Sequence, residues 1–260
     1  MDIDLKRIAA AVLAELGPEL TPDDRDFMLR VYGSSIEVYR SRLRAVGMLD
    51  QGRVLDAGCG FGQWTLALGN GSNTVHGVDI SPVRVKTANL AFRLAGLPGV
   101  SARRASLTRI PARDNSYDAV FAYSSVCFAP WKQSLKEMAR VLRPGGRMYY
   151  MASDVGFAAM LWQDEPNKGP GYDPREAAAL SLLDTVHYRR TGRQKFRGKS
   201  HIIVSRAEAR EYLGHIGLMV ERIEDEGTIS LDPGAEAPQP FYKGSYYGLP
   251  GVYEVLCRKA

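Results

Sequence analysis

The chain has 260 residues, 45% of them hydrophobic and 24% charged, with a formal net charge of +5 and a pI near 9.1. That is the composition of a globular protein with one sizeable core, and its moderate positive charge permits an acidic substrate or nucleic acid without requiring either. No apolar run approaches a membrane span, and the acidic start Met1-Asp2-Ile3-Asp4 is not a secretory leader. Cys59, Cys127 and Cys257 are scattered and odd in number, which excludes a disulfide framework and a zinc motif and points to the reducing cytoplasm.

In chain order, Leu5, Ile8, Val12, Leu13 and Leu16 fall on one face of a helix that Gly17-Pro18 stops. Thr21-Pro22-Asp23-Asp24 opens a second helix with a capping hydroxyl, a proline in the first turn and acids near the positive end of the dipole. It extends toward Leu43, with a break at Gly33-Ser34-Ser35, and Gly47 closes it. From Arg53 the pattern alternates. Strands are expected near 53–57, 74–79, 100–105, 117–122 and 147–152, and helices over 61–68, 82–95 and 131–142. Such alternation makes right-handed βαβ units and a parallel sheet covered on both faces. Arg143-Pro144-Gly145-Gly146 reads as a tight turn into the fifth strand.

After Ser153 the alternation breaks. Residues 164–171 read as a loop, Asp173-Pro174-Arg175-Glu176 opens a helix to about His187, and a basic run from Arg189 to Lys199 follows. Ser205-Arg206-Ala207-Glu208 is a capping box, 218–224 a strand, 232–251 a loop rich in Pro, Gly and Tyr, and 252–258 the last strand.

The centre of the sequence is Val54-Leu55-Asp56-Ala57-Gly58-Cys59-Gly60-Phe61-Gly62. A buried strand runs into a glycine turn and then a helix. Glycines there remove the Cβ atoms that would hold a ligand off the backbone. A second strand ends at Asp79, where a carboxylate at the tip of the neighbouring strand can accept hydrogen bonds from both hydroxyls of a ribose. The spacing is GxGxG rather than GxGxxG, and no Tyr-x-x-x-Lys pair lies in a suitable helix, which argues against a nicotinamide oxidoreductase.

VLDAGCGFG, GVDIS, NSYDAVFAYSSV and LKEMARVLRPGGRMYY, in this order between Arg53 and Tyr150, resemble the motifs of class I S-adenosylmethionine (SAM)-dependent methyltransferases. The small-molecule branch, with its quinone and natural-product enzymes, is the nearest in flavour. The resemblance implies an α/β, Rossmann-like fold with a seven-stranded, mostly parallel sheet and helices on both faces. It implies an N-terminal helical lid (1–50), a SAM-binding core (51–152), a substrate cap inserted at 153–204, and a C-terminal part of the sheet (205–260). The implied cofactor is S-adenosyl-L-methionine, with no metal. The implied partner is a small molecule rather than nucleic acid, with no membrane span and room for a homodimer.

By the same resemblance, Gly58, Cys59 and Gly60 carry the cofactor's methionine part and Asp56 orients its ammonium. Asp79 takes the ribose, and Ile80 forms an apolar wall for the adenine. The family's Gly-Asp pair after the third strand is Ala105-Ser106 here, which leaves Ser106 and the backbone of Leu107 to meet the adenine. Tyr123 follows the fourth strand, where the family uses backbone carbonyls, and a common His-His pair reads Cys127-Phe128. The catalytic candidates are His187 and His201, which flank the basic run, although a loop or surface place is the plainer reading of each; Asp154, just past the fifth strand, is a weaker candidate. Tyr32, Tyr39 and Arg40 are candidate lid contacts, with packing of the helix on the core the plainer reading of the two tyrosines. The basic run is a candidate anion grip or, equally, a solvated surface loop, and Trp162, Tyr172, Tyr188 and Phe196 are candidate walls for an aromatic substrate; cap packing is the plainer reading of these four. The expected activity is methyl transfer to oxygen or nitrogen of a small molecule. The alternatives are an RNA methyltransferase and a SAM-binding protein without activity.

Overall fold

The structure, a computed structural model, describes residues 3–69, 74–232, 234 and 238–260. Three helices lead in: α1 (Leu5–Leu16), α2 (Pro22–Tyr32) and α3 (Ile36–Ala45). Then β1 (Arg53–Ala57), α4 (Gln63–Gly69), β2 (Thr74–Asp79), α5 (Pro82–Leu94), β3 (Val100–Arg104), β4 (Tyr117–Ala122), α6 (Trp131–Val141) and β5 (Leu142–Ser153) follow. The rest comprises α7 (Val155–Asp164), α8 (Pro174–Thr191), α9 (Arg206–His215), β6 (Leu218–Asp225), β7 (Ser245–Tyr246), β8 (Leu249–Pro250) and β9 (Val252–Lys259).

The seven-stranded sheet has the order β3-β2-β1-β4-β5-β9-β6. β1 to β5 pair in parallel, and β9 lies antiparallel between β5 and β6. Because successive strand residues face opposite ways, each strand feeds two cores. Val54, Ala119, Phe121 and Tyr149 join the helices α1 to α5 in one. Leu55, Val120, Ala122 and Tyr150 join α6 and α9 in the other. The strand order reverses between β1 and β4, so the crevice at the carboxyl ends of those two strands is where such a sheet takes its ligands.

Local chemistry sets the helix ends. Thr21 accepts from the Asp24 N–H, Ser81 from that of Arg84, and Ser205 and Glu208 form both halves of the capping box. The expected break at Gly33 to Ser35 separates α2 from α3. Three features differ from the sequence reading. β5 begins at Leu142, opposite Tyr117; the Arg143-Pro144-Gly145-Gly146 turn, with Gly145 at φ of 73°, bulges out against Asp118 before pairing resumes between Ala119 and Arg147. The loop expected over 232–251 contains the β7–β8 hairpin, whose Tyr247-Gly248 turn has φ of 53° and 75°, the left-handed pair that matches strand twist. And α7 forms where no helix was expected; its Val-Gly-Phe-Ala-Ala-Met-Leu-Trp run is apolar without a clear period.

The N-terminal helices are part of the core as well as a cover. Tyr32 donates to the Phe61 carbonyl at 2.7 Å, Tyr39 donates to the Val31 carbonyl, and Arg40 pairs with Glu37. Phe27 lies 5.9 Å from the Phe61 ring, so α2 runs over the glycine turn. The α7–α8 loop rests on α2 in turn: Arg30 donates to Asn167 at 3.0 Å, and a Cβ on Gly171 would sit 2.4 Å from Asp23. Among the described residues no helix is long and apolar enough to cross a membrane.

Candidate functional site

The glycine turn is stitched to β2 by its own backbone. Gly58 and Cys59 both donate to the Val78 carbonyl, at 2.8 and 3.0 Å, and Gly60 donates to Asp79 Oδ2 at 3.0 Å. The three glycines have different duties. A Cβ on Gly58 would lie 2.2 Å from Ser125 Cβ, and one on Gly62 would lie 2.6 Å from the Phe92 ring. A Cβ on Gly60 would meet nothing within 4 Å among the described residues. Gly58 and Gly62 therefore allow close packing, whereas Gly60 faces open space.

Asp79 stands at the edge of that space. Its Oδ1 accepts from the Ser81 N–H at 2.8 Å. Each carboxylate oxygen so keeps one acceptor site of two, enough for a pair of vicinal hydroxyls. Ile80, next in the chain, is 66% exposed, a bare apolar surface beside the carboxylate. Open glycine backbone, a partly satisfied carboxylate and a bare isoleucine together fit the ribose and adenine of the expected cofactor.

Asp56 faces the other way. It is 1% exposed and accepts from Thr65 Oγ1 at 2.5 Å. Burial pushes its pKa up to about 7, the Thr65 hydroxyl opposes the rise, and the charge of Asp79 adds to it. Cys59 is buried against Gly77, where a Cβ would come within 2.8 Å of its sulfur, and burial with the two nearby aspartates pushes its thiol well up. Ser106 is turned into its own loop, bonded to Thr108 Oγ1 at 2.9 Å, and the Leu107 side chain is core. The Tyr123 ring also turns inward, where its hydroxyl donates to Glu226 at 2.6 Å. Only backbone atoms of Leu107 and Tyr123 remain for a ligand. Ser124 between strand and turn has φ of 51°, a strained conformation for a residue with a side chain.

His201 lies in the same region. The chain before α9 runs beside the turn after β4, with Ile202 donating to the Cys127 carbonyl at 2.7 Å. His201 is 4% exposed and sits against Phe157 and Phe128, with ring centroids 5.3 and 6.4 Å away. Its Nδ1 meets Ser181 Oγ at 2.9 Å. Ser181 has one proton, which goes to the Ala177 carbonyl at 2.6 Å, so Nδ1 is the donor of this pair. That assignment leaves Nε2 as an unprotonated acceptor, and it is buried without a partner among the described residues. Burial pushes the imidazole pKa down to about 4. His187 is half-buried on α8, six residues and about 9 Å along the helix from Ser181. The structure does not bring the two histidines together. Asp154 caps α7 through the Val155 N–H at 2.7 Å.

Of the aromatic cap residues, Tyr188 is buried and bonds Gln133 at 2.8 Å, which fixes α8 to α6. Trp162 is exposed, and Tyr172 lies at the surface in the loop that rests on α2. The basic run is exposed as well; Asp184 anchors its loop by accepting from the Lys195 N–H and the Ser200 hydroxyl.

A buried ionic cluster borders the crevice, and nothing local in the sequence announces it. Arg42 on α3 pairs with Glu226 and, at 3.6 Å, with Glu254; all three are at most 4% exposed. Tyr149 donates to Glu254 at 2.7 Å. Glu226 also accepts from the Phe241 and Tyr242 N–H groups at 2.9 and 3.0 Å, and so holds that loop beside Tyr123. Ser125, equally unforeseen, donates to the Ala57 carbonyl at 2.6 Å and wedges the glycine turn against the end of β4. Its signal would have been its place just after Ser124 at the strand end.

Residues 55–150 match the family described as methyltransferase domain. Botryococcene C-methyltransferase of Botryococcus braunii is 35% identical over 160 residues, covering 60% of this chain and 38% of that protein. The chain spans less than half the length of the curated relatives it matches. Among solved structures, geranyl diphosphate methyltransferase in complex with SAM aligns with a TM-score of 0.58 at 16% identity, over 97% of this chain and 90% of that one. The [4+2]-cyclase SpnF aligns with a TM-score of 0.57 at 19% identity, over 88% and 82%. At such identities the structural likeness speaks for the fold.

Proposed function

We propose that this chain, whose residues 55–150 form a methyltransferase domain of the class I SAM-dependent kind, binds SAM at the glycine turn and moves its methyl group to a small molecule beneath the cap. The observation that carries the reading is the Asp79–Gly60 contact beside open backbone and the bare Ile80. Asp79 would hold the ribose hydroxyls, Ile80 the adenine face, and the backbone of Gly58, Cys59 and Gly60 the methionine end. Asp56 would act from behind the turn, through its charge and through Thr65. The backbone of Leu107 and Tyr123 would complete the cradle, with Ser106 shaping the loop.

SAM supplies an electrophilic methyl group on a good leaving group. What the protein has to add is alignment, exclusion of water and a destination for a proton. An acceptor O–H or N–H becomes cationic when methylated and then loses that proton. Of the two histidine candidates, His201 suits this step, because its Nε2 lone pair has no partner among the described residues and its ring lies beside those of Phe157 and Phe128. Oxygen or nitrogen is the proposed acceptor atom. Carbon is the second reading, favoured by the name of the botryococcene C-methyltransferase, and it too ends in loss of a proton. A SAM-binding protein with other chemistry is a third reading, since a cyclase shares the fold.

Titration calorimetry with SAM and S-adenosylhomocysteine tests the cofactor, and mass spectrometry of methylated products from a panel of hydroxyl, amine and alkene acceptors tests the reaction. Absence of SAM binding at millimolar ligand would remove the proposal. SAM binding with no product from any class of acceptor would favour the non-methylating reading.

A further inference from the structure

The outward face of the cap is apolar along its length and basic at its end. The 3.6-residue period puts Arg175, Leu182, Leu183, Val186 and Arg190 on one side of α8, and all five are exposed. Trp162 of α7, 51% exposed, and Tyr247 of the β7–β8 turn stand beside that stripe. Trp162, Ala178, Leu182 and Tyr247 line a shallow groove of about 440 Å³ between α7 and α8. Soluble surfaces scatter single apolar residues, but a contiguous patch that includes Trp and Tyr marks an interaction site.

At the C-terminal end of α8 the exposed charge is basic, whereas at the other end Asp164 accepts from the Tyr247 hydroxyl and Glu176 is exposed. α8 ends in Arg189-Arg190, and the chain continues through Arg193, Lys195, Arg197 and Lys199, all exposed. No Asp or Glu occurs between Asp184 and Glu208, and Asp184 is buried beneath its loop. Arg189 pairs with Glu208, and Lys199 lies 3.8 Å from Glu176. Among the described residues, Arg190, Arg193 and Arg197 have no side-chain partner.

We propose that this face of the cap docks on an anionic lipid surface. Trp162, Leu182, Leu183, Val186 and Tyr247 enter the headgroup boundary, and the run from Arg189 to Lys199 lies over the anionic headgroups. Trp and Tyr favour that boundary because they are apolar with one polar end. Each basic residue near such a surface strengthens partition about fivefold at low salt. A two-fold dimer through the same face would set one basic run near another, which opposes a second copy as the occupant. Nucleic acid would use the arginines but leave the Leu182–Leu183–Val186 stripe uncovered. α7 starts directly after the carboxyl end of β5, so the docked face adjoins the ligand side of the sheet. The proposal goes beyond methyl transfer and does not depend on it.

The test uses the full chain with vesicles of phosphatidylcholine alone and vesicles containing about a quarter phosphatidylglycerol. Trp64 and Trp131 are buried, so a blue shift of tryptophan emission reports Trp162 entering the boundary. The expected result is co-sedimentation and a blue shift with the anionic vesicles only, both lost at roughly 0.5 M salt. Replacing Arg190, Arg193, Lys195 and Arg197 with Gln should weaken binding by more than about tenfold. Leu182→Ser with Leu183→Ser should weaken it as well and abolish the shift. These are surface changes, and circular dichroism checks that the fold survives them. No binding to anionic vesicles, or binding unchanged by both variants, overturns the proposal. So does a dimer that the two serines dissociate while vesicle binding stays the same. RNA binding that is lost with the charge variant, together with indifference to vesicles, overturns it in favour of nucleic acid.

Discussion

Asp79 Oδ2 and the Gly60 N–H meet at 3.0 Å across the tips of two neighbouring strands, and this bond fixes the glycine turn against β2. The same carboxylate is the proposed ribose acceptor, so turn shape and ligand affinity depend on one side chain. Asp79→Ala is expected to weaken SAM binding by at least about a hundredfold, since two charge-assisted hydrogen bonds at roughly 1.5–3 kcal/mol each are at stake. Asp79→Asn, which keeps one carbonyl acceptor, should lose less. Unchanged SAM affinity in calorimetry for the alanine variant would take Asp79 out of the site.

Two glycines of one turn should respond differently to the same methyl group. Gly58→Ala drives a Cβ into Ser125 and should destabilise the fold by about 1–3 kcal/mol beyond the cost of its left-handed backbone. Gly60→Ala meets no neighbour, so its cost is the left-handed backbone, about 1–2 kcal/mol. The methyl group would, however, occupy the space assigned to the ligand. A Gly60→Ala protein with near-normal unfolding and strongly reduced SAM binding is the expected outcome. Normal binding would place the ligand elsewhere.

Asp56 and His201 should tilt stability in opposite directions over the same pH range. Asp56 titrates at about 7 when folded and near 3.8 when unfolded. Between those values the folded state holds the extra proton, so stability falls as pH rises, by roughly 4 kcal/mol in full. His201 titrates at about 4 when folded and near 6.5 when unfolded. There the unfolded state holds the extra proton, so stability rises with pH, by roughly 3 kcal/mol. The two contributions largely cancel in the native protein. Asp56→Asn should therefore uncover a rise in stability from about pH 4 to 6.5, and His201→Gln a fall from about pH 4 to 7, in urea titrations across that range. Parallel curves for both variants and the native chain would refute both assignments.

Arg42 is the sole cation paired in the described structure with Glu226 and Glu254, all three buried. Arg42→Met would leave two carboxylates without it, at an expected cost of about 3–5 kcal/mol. Adding Glu226→Gln and Glu254→Gln removes the stranded charges and should return part of that loss. Urea midpoints of the single and triple variants decide it, and a single variant as stable as the native chain would show that the cluster contributes nothing.

His201→Gln keeps the Ser181 contact in reach but removes the imidazole base. If Nε2 takes the acceptor's proton, kcat should fall by about a hundredfold while SAM affinity stays unchanged. Equal kcat would reduce His201 to a packing residue.

Legibility in this sequence follows distance along the chain. The first four strands, α5, α6 and the caps at Thr21 and Ser205 obey rules that act within a few residues, and they stand where the pattern puts them. The place of Asp79 at the end of β2 is legible for the same reason. α7 is not, because its apolar residues lack the period that separates helix from strand. Nor is the direction of Asp56: the carboxylate could face the crevice or the core, and only its fit to Thr65 shows the second. The bond between Ser181 and His201 and the cluster of Arg42 with Glu226 and Glu254 join segments that meet only after the sheet has formed.

The position of β9 has a consequence for the way the chain assembles. β5 is hydrogen-bonded on its outer side by β9, with Met148 opposite Cys257, 109 residues later. β6 also pairs with β9. Until β9 arrives, two strand edges stand open, and closing so long a loop is slow. During synthesis on the ribosome, the first five strands can settle as a unit while β6 waits unpaired. That interval is when the chain is most exposed to edge-to-edge association with its neighbours, and when a chaperone has the most to gain by holding it.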